Sequence, residues 1–172
     1  MKIIKIVLPL IILITAFFLY KGIADPIAFN KERKVVYAKV IQNLKDIRTA
    51  QVAFRSVYDD YAPTFDSLEK FLQYDSLLYV VKIGDPEDST SVVTIDTNYI
   101  SVYDSLVEGN YALDSLKFAP YSGAKFSMET GKVNKGGVTV PVFQVKDTKP
   151  FDPEKPLQVG SLTDGSTAGN WE

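Results

Sequence analysis

The chain contains no cysteine and no histidine. Without cysteine there are no disulfides, no thiolate metal centres and no thiol nucleophile, and any redox compartment is compatible. Without histidine the commonest general base, the commonest transition-metal ligand and the side chain that titrates near neutrality are missing. An excess of either charge is missing too: 19 Lys and Arg stand against 21 Asp and Glu, a net charge of −2. That balance points to no nucleic-acid partner, since such binders carry a basic face. No nucleophile elbow, penicillin-binding motif set or phosphate-cradling glycine loop occurs; Gly136-Gly137 sits in a hairpin-like turn, not before a helix. The chain therefore reads as non-enzymatic, with no small-molecule substrate and no cofactor evident. With no covalent or metal staple, apolar burial must supply most of the stability.

The first feature present is an uncharged apolar run from Ile6 to Tyr20. As a helix it rises about 22 Å, at about 1.5 Å per residue, short of a hydrocarbon core of about 30 Å. Adding Ile3, Ile4, Gly22, Ile23 and Ala24 makes the span adequate, with Lys5 and Lys21 snorkelling to the two interfaces. Residues 1–24 are thus assigned as a single-pass anchor whose partner is the lipid bilayer. Pro9 falls near the helix start, where its missing N–H costs least. The rival reading is a cleaved secretory signal, with Lys2 and Lys5 as its basic region and Gly22-Ile23-Ala24 at the cleavage positions. Lys21 and the uninterrupted continuation into a helix count against it. Lys31, Arg33, Lys34 and Lys39 follow the span, so charge alone does not choose its orientation.

Asp25-Pro26 reads as the start of a second helical stretch, a stalk over residues 25–60, because Asp caps free N–H groups and Pro suits the first helical position. Val36, Val40, Leu44, Ile47, Phe54 and Val57 recur at three- and four-residue steps, and Tyr37, Ile41, Ala50 and Tyr58 widen that stripe. The stripe is expected to pack on a sheet. The more charged part, Asn30 to Lys39, is expected to stand free between membrane and domain.

Residues 61–172 are expected to form one domain. Pro63-Thr64 breaks the helix, and Asp66-Ser67-Leu68-Glu69 resembles a capping box opening a short helix with Leu68, Phe71 and Leu72 on its apolar side. Strand-like segments follow at Leu77 to Ile83, Val92 to Ile95, Tyr99 to Tyr103, Leu116 to Ala119 and Leu157 to Leu162. The clearest hairpin runs from Lys125 to Val133, turns at Asn134-Lys135-Gly136-Gly137, and returns from Val138 to Val145. Pro141 in the second arm predicts an edge strand or a bulge. Asp147 to Pro156 is loop. The fold class is α+β: a long N-terminal helix, transmembrane part plus stalk, packed on a small antiparallel β-sheet.

Three stretches carry a resemblance. Pro26-Ile27-Ala28-Phe29, then Leu44-Lys45-Asp46-Ile47-Arg48-Thr49-Ala50-Gln51-Val52-Ala53-Phe54, then Tyr58-Asp59-Asp60-Tyr61-Ala62 are similar to type IV pilins and type II secretion pseudopilins. Those proteins pair an apolar N-terminal helix and a helix-kinking proline with a pattern of the form N-L-x-x-I-x-T-A-Q-x-A-[YF]. The end of the chain, Val159-Gly160-Ser161-Leu162-Thr163-Asp164-Gly165 and Ala168-Gly169-Asn170-Trp171-Glu172, resembles the S-L-x-x-D-G loop and N-W-[DE] terminus of major pseudopilins. The whole chain, including Ser115-Leu116-Lys117-Phe118-Ala119-Pro120-Tyr121, most resembles uncharacterised single-span pilin-like proteins of Bacteroides-type bacteria. One departure stands out. Prepilins carry a Gly before the mature start and a Glu five positions into the mature chain, and no Gly or Glu occurs in the first twenty residues here.

The resemblance implies an inner-membrane, single-pass protein with a periplasmic domain. It implies a structural or assembly component of a secretion-type system in the cell envelope, with protein partners there. The missing Gly and Glu favour the alternative, a tethered periplasmic adaptor or binding module that does not polymerise. The resemblance also implies a Ca²⁺ site at Asp164, with Ser161 and Asn170 nearby. Asp164 is the only carboxylate inside that loop, and the alternative there is a capped turn that folds Trp171 back onto the sheet. A second acidic group, Asp85, Glu87 and Asp88, has no EF-hand spacing and reads as a solvated loop.

Overall fold

Helix α1 runs unbroken from Lys2 to Tyr58, 57 residues and about 85 Å at about 1.5 Å per residue. The computed structural model describes residues 2–83, 94–102 and 113–172. Leu10, Leu13, Phe17, Phe18 and Leu19 are all exposed around the first part of the helix. Among the described residues α1 is the one helix long and apolar enough to cross a membrane, and none of its most apolar window is buried inside the protein.

Asp25-Pro26 does not start a helix, as its residue types suggested; α1 passes straight through it. Pro26 forfeits one hydrogen bond to the Gly22 carbonyl and costs about 3 kcal/mol in a helix interior. A true break would free about four C=O groups at the end it closes and about four N–H groups at the end it opens, which is the worse outcome. The helix ends instead at Asp59, which takes a left-handed φ of 55° while its N–H bonds the Arg55 carbonyl at 2.9 Å. Aspartate is among the few side chains that tolerate that conformation.

Thr64, not Asp66, caps helix α2 (Phe65–Tyr74); its hydroxyl accepts the Ser67 N–H at 3.2 Å. Starting that much earlier lets Phe65 join Leu68, Phe71 and Leu72 on the buried face. Asp66 falls in the first turn, where the helix dipole favours a negative charge, and Glu69 reaches Lys117 at 3.1 Å instead of closing a capping box.

Strands β1 (Ser76–Ile83) and β2 (Thr94–Ser101) pair antiparallel as a two-stranded sheet, Ser76 opposite Ser101 and Ile83 opposite Thr94. Asp96, Thr97 and Asn98, expected to separate two extended segments, lie inside β2, in backbone register with Val81, Val80 and Tyr79. Ladder pairing overrides their weak strand preference. The segment from Leu116 to Ala119 forms no strand, only a single bridge from Phe118 to Lys125. The acidic group Asp85, Glu87 and Asp88 lies outside the described residues, as do Val92, Val93 and Tyr103.

The second sheet has the order β3-β4-β5, all antiparallel, with β3 Ser127–Lys135, β4 Val138–Lys146 and β5 Gln158–Gly160. Its hairpin turns on Gly136 and Gly137, both with positive φ (61° and 87°), the pair a two-residue type I′ turn requires. Pro141 is not on an edge strand, since β4 is central. It is nonetheless harmless there: it pairs with Lys132 on β3, and β5 reaches only Gln144 to Lys146. Counting alternate bonded pairs out from the turn leaves the Pro141 nitrogen facing the side that β5 does not cover.

The core forms where the second half of α1 lies across this sheet. Val36, Val40, Leu44, Ile47, Ala50 and Ala53 are buried against Phe126, Phe143, Val145, Leu157 and Val159, with the α2 residues at one end. Val57 and Tyr58, expected in the stripe, are exposed. They sit in the last turn, above the sheet, although the Tyr58 ring still stacks near Phe54 and Phe71. Gly160 takes φ 77°, and a Cβ there would land on the Phe143 carbonyl, so only glycine lets β5 approach β4 this closely.

Candidate functional site

The C-terminal loop is held by its own short-range bonds. The Asp164 carboxylate accepts the Ser166 N–H at 2.9 Å, and that bond together with the Ser161 hydroxyl keeps its pKa below the ordinary aspartate value. Ser161 also meets the Thr163 hydroxyl at 3.1 Å. Lys135 from the hairpin tip donates to the Asp164 carbonyl at 3.3 Å. On the far side of the sheet from α1, Gly165 lies over Val142, which is how this loop covers the outer face of β4.

Asn170 is not drawn to Asp164. Its amide donates to the Pro156 carbonyl at 2.8 Å and its oxygen accepts the Gln158 N–H at 3.1 Å, fastening the end of the chain along β5. Ser161 and Asp164 are thus brought together and Asn170 is not. Among the described residues no three acidic side chains gather where they would hold a metal ion. The loop already spends its polar groups on itself, and an ammonium group stands beside it. The thermal midpoint of the domain is therefore expected to be the same in calcium and in chelator; a clear rise with calcium would restore the pseudopilin-type site.

Beyond Asn170, Trp171 packs against the core, its indole lying directly on Gly169, where any Cβ would collide with the ring. Glu172 pairs with Arg48 of α1 at 2.7 Å. The chain end is thus pinned to the spine helix from which the domain begins. Removing Trp171 and Glu172 is expected to lower stability by about 1.5–3 kcal/mol, the usual worth of burying a large apolar side chain. Glu172→Gln alone should do little, because the ion pair is open to water. Equal midpoints for the truncated and full chains would show that the indole contributes nothing.

A second set of contacts, which no spacing in the sequence foreshadowed, clasps the middle of α1. The loop after β4 descends along the helix. Phe151 stacks on Phe29 with ring centres 5.1 Å apart, Asp152 binds Arg33 at 2.7 Å, and the Tyr37 hydroxyl donates to the Lys155 carbonyl at 2.7 Å. The expectation that Asn30 to Lys39 stands free is therefore overturned; Val36 within it is buried. One of its charges, Arg33, serves as a docking point for the loop. Tyr37, Glu154, Leu157 and Trp171 border a groove of about 460 Å³ above this clasp.

The clasp has a distinct pH signature. The Arg33 hydrogen bond holds the Asp152 carboxyl below its ordinary pKa. Its stabilisation is present above the unfolded value near 3.9 and fades as the pH falls through the lower folded value. Asp147 runs the other way. Burial raises its pKa, so its contribution is complete below the unfolded value and is lost as the pH rises through the folded one. Asp152→Asn is thus expected to flatten the acid-side fall of the thermal midpoint below about pH 4, and Asp147→Asn to steepen it above that value. Identical profiles for both variants and the parent would remove the assignment.

No protein-family model, no curated protein and no solved structure matches this chain.

Proposed function

We propose that the protein is a non-enzymatic, membrane-anchored component of the cell envelope, pilin-like in plan. It crosses the inner membrane once, presents its C-terminal domain to the periplasm, and serves a structural or assembly role in a secretion-type system. One observation carries this reading: a single helix is bare and apolar for its first half and is the spine of the domain core for its second. In that arrangement the part that meets lipid and the part that organises the domain are one rigid element. A force or displacement at the bilayer passes directly into the sheet, as a scaffold needs and a flexible tether prevents. The pilin-like residues at Leu44 to Phe54 lie on this spine, and those at Val159 to Glu172 form β5 and the terminus fastened to it.

Crosslinking of intact membranes tests it. A ladder of multimers, or heteromeric products, supports an assembly role. A purely monomeric, membrane-bound protein overturns that role and leaves the second reading, a tethered periplasmic adaptor. The absence of Gly and Glu from the first twenty residues favours that second reading, because those residues serve processing and subunit registry in filament proteins. An alkaline phosphatase fused to the C-terminus should be active; inactivity would reverse the orientation.

A further inference from the structure

We propose that the membrane-proximal end of the domain is itself a lipid-binding surface: the rings of Phe29, Phe151 and Tyr121, flanked by Lys31, Lys34 and Lys149, seat in the headgroup layer of the bilayer that α1 crosses. This rests on the anchor reading above and adds to it a second, peripheral contact made by the folded domain.

Height along α1 carries the inference. The uncharged residues end at Ala24, and Asp25 is the next charge after Lys21. Phe29 lies five residues further along a continuous helix, about 7.5 Å at about 1.5 Å per residue. The polar layer of one leaflet is about 5–7 Å deep, the difference between a full bilayer and its hydrocarbon core shared between two sides. The Phe29 backbone therefore stands at the outer edge of that layer, and its side chain, tilted toward the helix N-terminus, leans back into it. Phe151 stacks on it, and Tyr121 meets Phe151 edge-on at 5.1 Å, so a second and a third ring from distant parts of the chain are brought to the same level. The cluster is incompletely covered by protein: Phe29 is 43% and Tyr121 56% exposed.

Its chemistry suits this occupant. Tyr concentrates at membrane–water interfaces, where its ring meets the acyl boundary and its hydroxyl the headgroups, and Phe supplies the apolar surface that interfacial segments bury. Tyr20 and Lys21 begin such a belt at the end of the span, and the trio continues it on the domain. The carboxylate closest to the trio on this loop, Asp152, is neutralised by Arg33 one turn up the helix. Lys149 is exposed on the same loop, and Lys31 and Lys34 lie on the adjoining turns of α1, which gives anionic headgroups basic partners. The domain then rests on the membrane at a fixed height and tilt, with the hairpin tip at the other end: Lys132, three register pairs short of the tip, already pairs with Asp60, just past the far end of α1.

The absence of native cysteine makes the test direct. Full-length protein carrying one introduced cysteine (Ser122→Cys beside the trio, Val138→Cys at the hairpin tip, or Leu13→Cys in the span) is labelled with a fluorophore. It is then reconstituted in nanodiscs of phosphatidylcholine and phosphatidylglycerol containing nitroxide-labelled lipid. With the nitroxide on the headgroup, position 122 is expected to be quenched several-fold more than position 138. Adding Phe151→Ser and Tyr121→Ser to the Ser122→Cys chain should reduce that difference. With the nitroxide on the acyl chain, position 13 should be strongly quenched. Equal headgroup quenching at 122 and 138, with 13 still quenched, overturns the seating while the anchor stands. Undiminished quenching at 122 after removal of the two rings shows that they are not the contact and overturns it as well. Absence of acyl-chain quenching at 13 overturns the anchor and the seating together.

Discussion

Gln51→Leu should destabilise the domain by about 2–6 kcal/mol, two buried backbone groups at about 1–3 kcal/mol each. Gln51 lies on the buried face of α1 with no exposed surface. Its amide N–H donates to the Ala62 carbonyl at 3.0 Å, and its oxygen accepts the Ala62 N–H at 2.9 Å. One side chain thus completes both backbone groups of a residue that is itself fully buried. Leucine keeps the volume and leaves both groups of Ala62 without a partner. The loss should appear as a lower denaturant midpoint of the full chain in detergent. Gln51→Glu should cost at least as much at neutral pH, since its carboxylate would be buried without a counter-charge against the Ala62 carbonyl. An unchanged midpoint for Gln51→Leu would mean that the segment after α1 finds other partners. The substitution should also free that segment, because Gln51 is what ties the end of α1 to the path leading into α2.

Ile47→Ala is expected to cost about 2–5 kcal/mol, the range for deleting a large aliphatic group from a site that cannot collapse. Ile47 is completely buried among α1, β4 and β5 residues that approach from elements fixed by their own hydrogen bonds. The neighbouring sheet cannot follow a shrinking side chain without breaking its ladder. Phe54→Ala should cost less. Phe54 is only partly buried, in a ring cluster with Tyr58 and Phe71 near the last turn of the helix, where the neighbours are free to close in. Thermal unfolding of the two variants side by side decides the point. A larger loss at Phe54 than at Ile47 would place the centre of the core nearer to α2 than to the three-stranded sheet.

These two positions show what spacing along the chain reveals. Ile47 was legible because apolar residues at three- and four-residue steps must share one side of a helix. Gln51 sits on the same stripe, four residues after Ile47 and three before Phe54. That position for an amide is itself a signal that it has a buried partner, but nothing local names Ala62 as that partner. The turn at Gly136-Gly137 was legible for the same local reason, since only glycine meets two successive positive φ values cheaply. Pro141 misled: proline forbids a donor on one side of a strand, and it took the short reach of β5 to show that this side is open. Asp25-Pro26 misled as well. Local preference weighed one lost bond, whereas the fold weighs the ends a break would create.

The candidate sites divide in the same way. Asp164 and Ser161 come together because they are three residues apart in a tight loop. Asn170, six residues further on, is claimed by Gln158 and Pro156 across the ladder. The clasp on α1 and the pinning of Glu172 were both invisible, since Arg33 and Asp152 are 119 positions apart and Arg48 and Glu172 are 124 apart. Short-range order, namely an apolar span, an amphipathic spine, a glycine turn and a loop-rich terminus, follows from backbone geometry and side-chain solubility acting over a few residues. Which side of α1 receives the sheet, how low the domain hangs on the helix and which carboxylate finds which cation were settled only on closure of the chain. Those pairings depend on several elements arriving at one place, and no single stretch of residues contains that information.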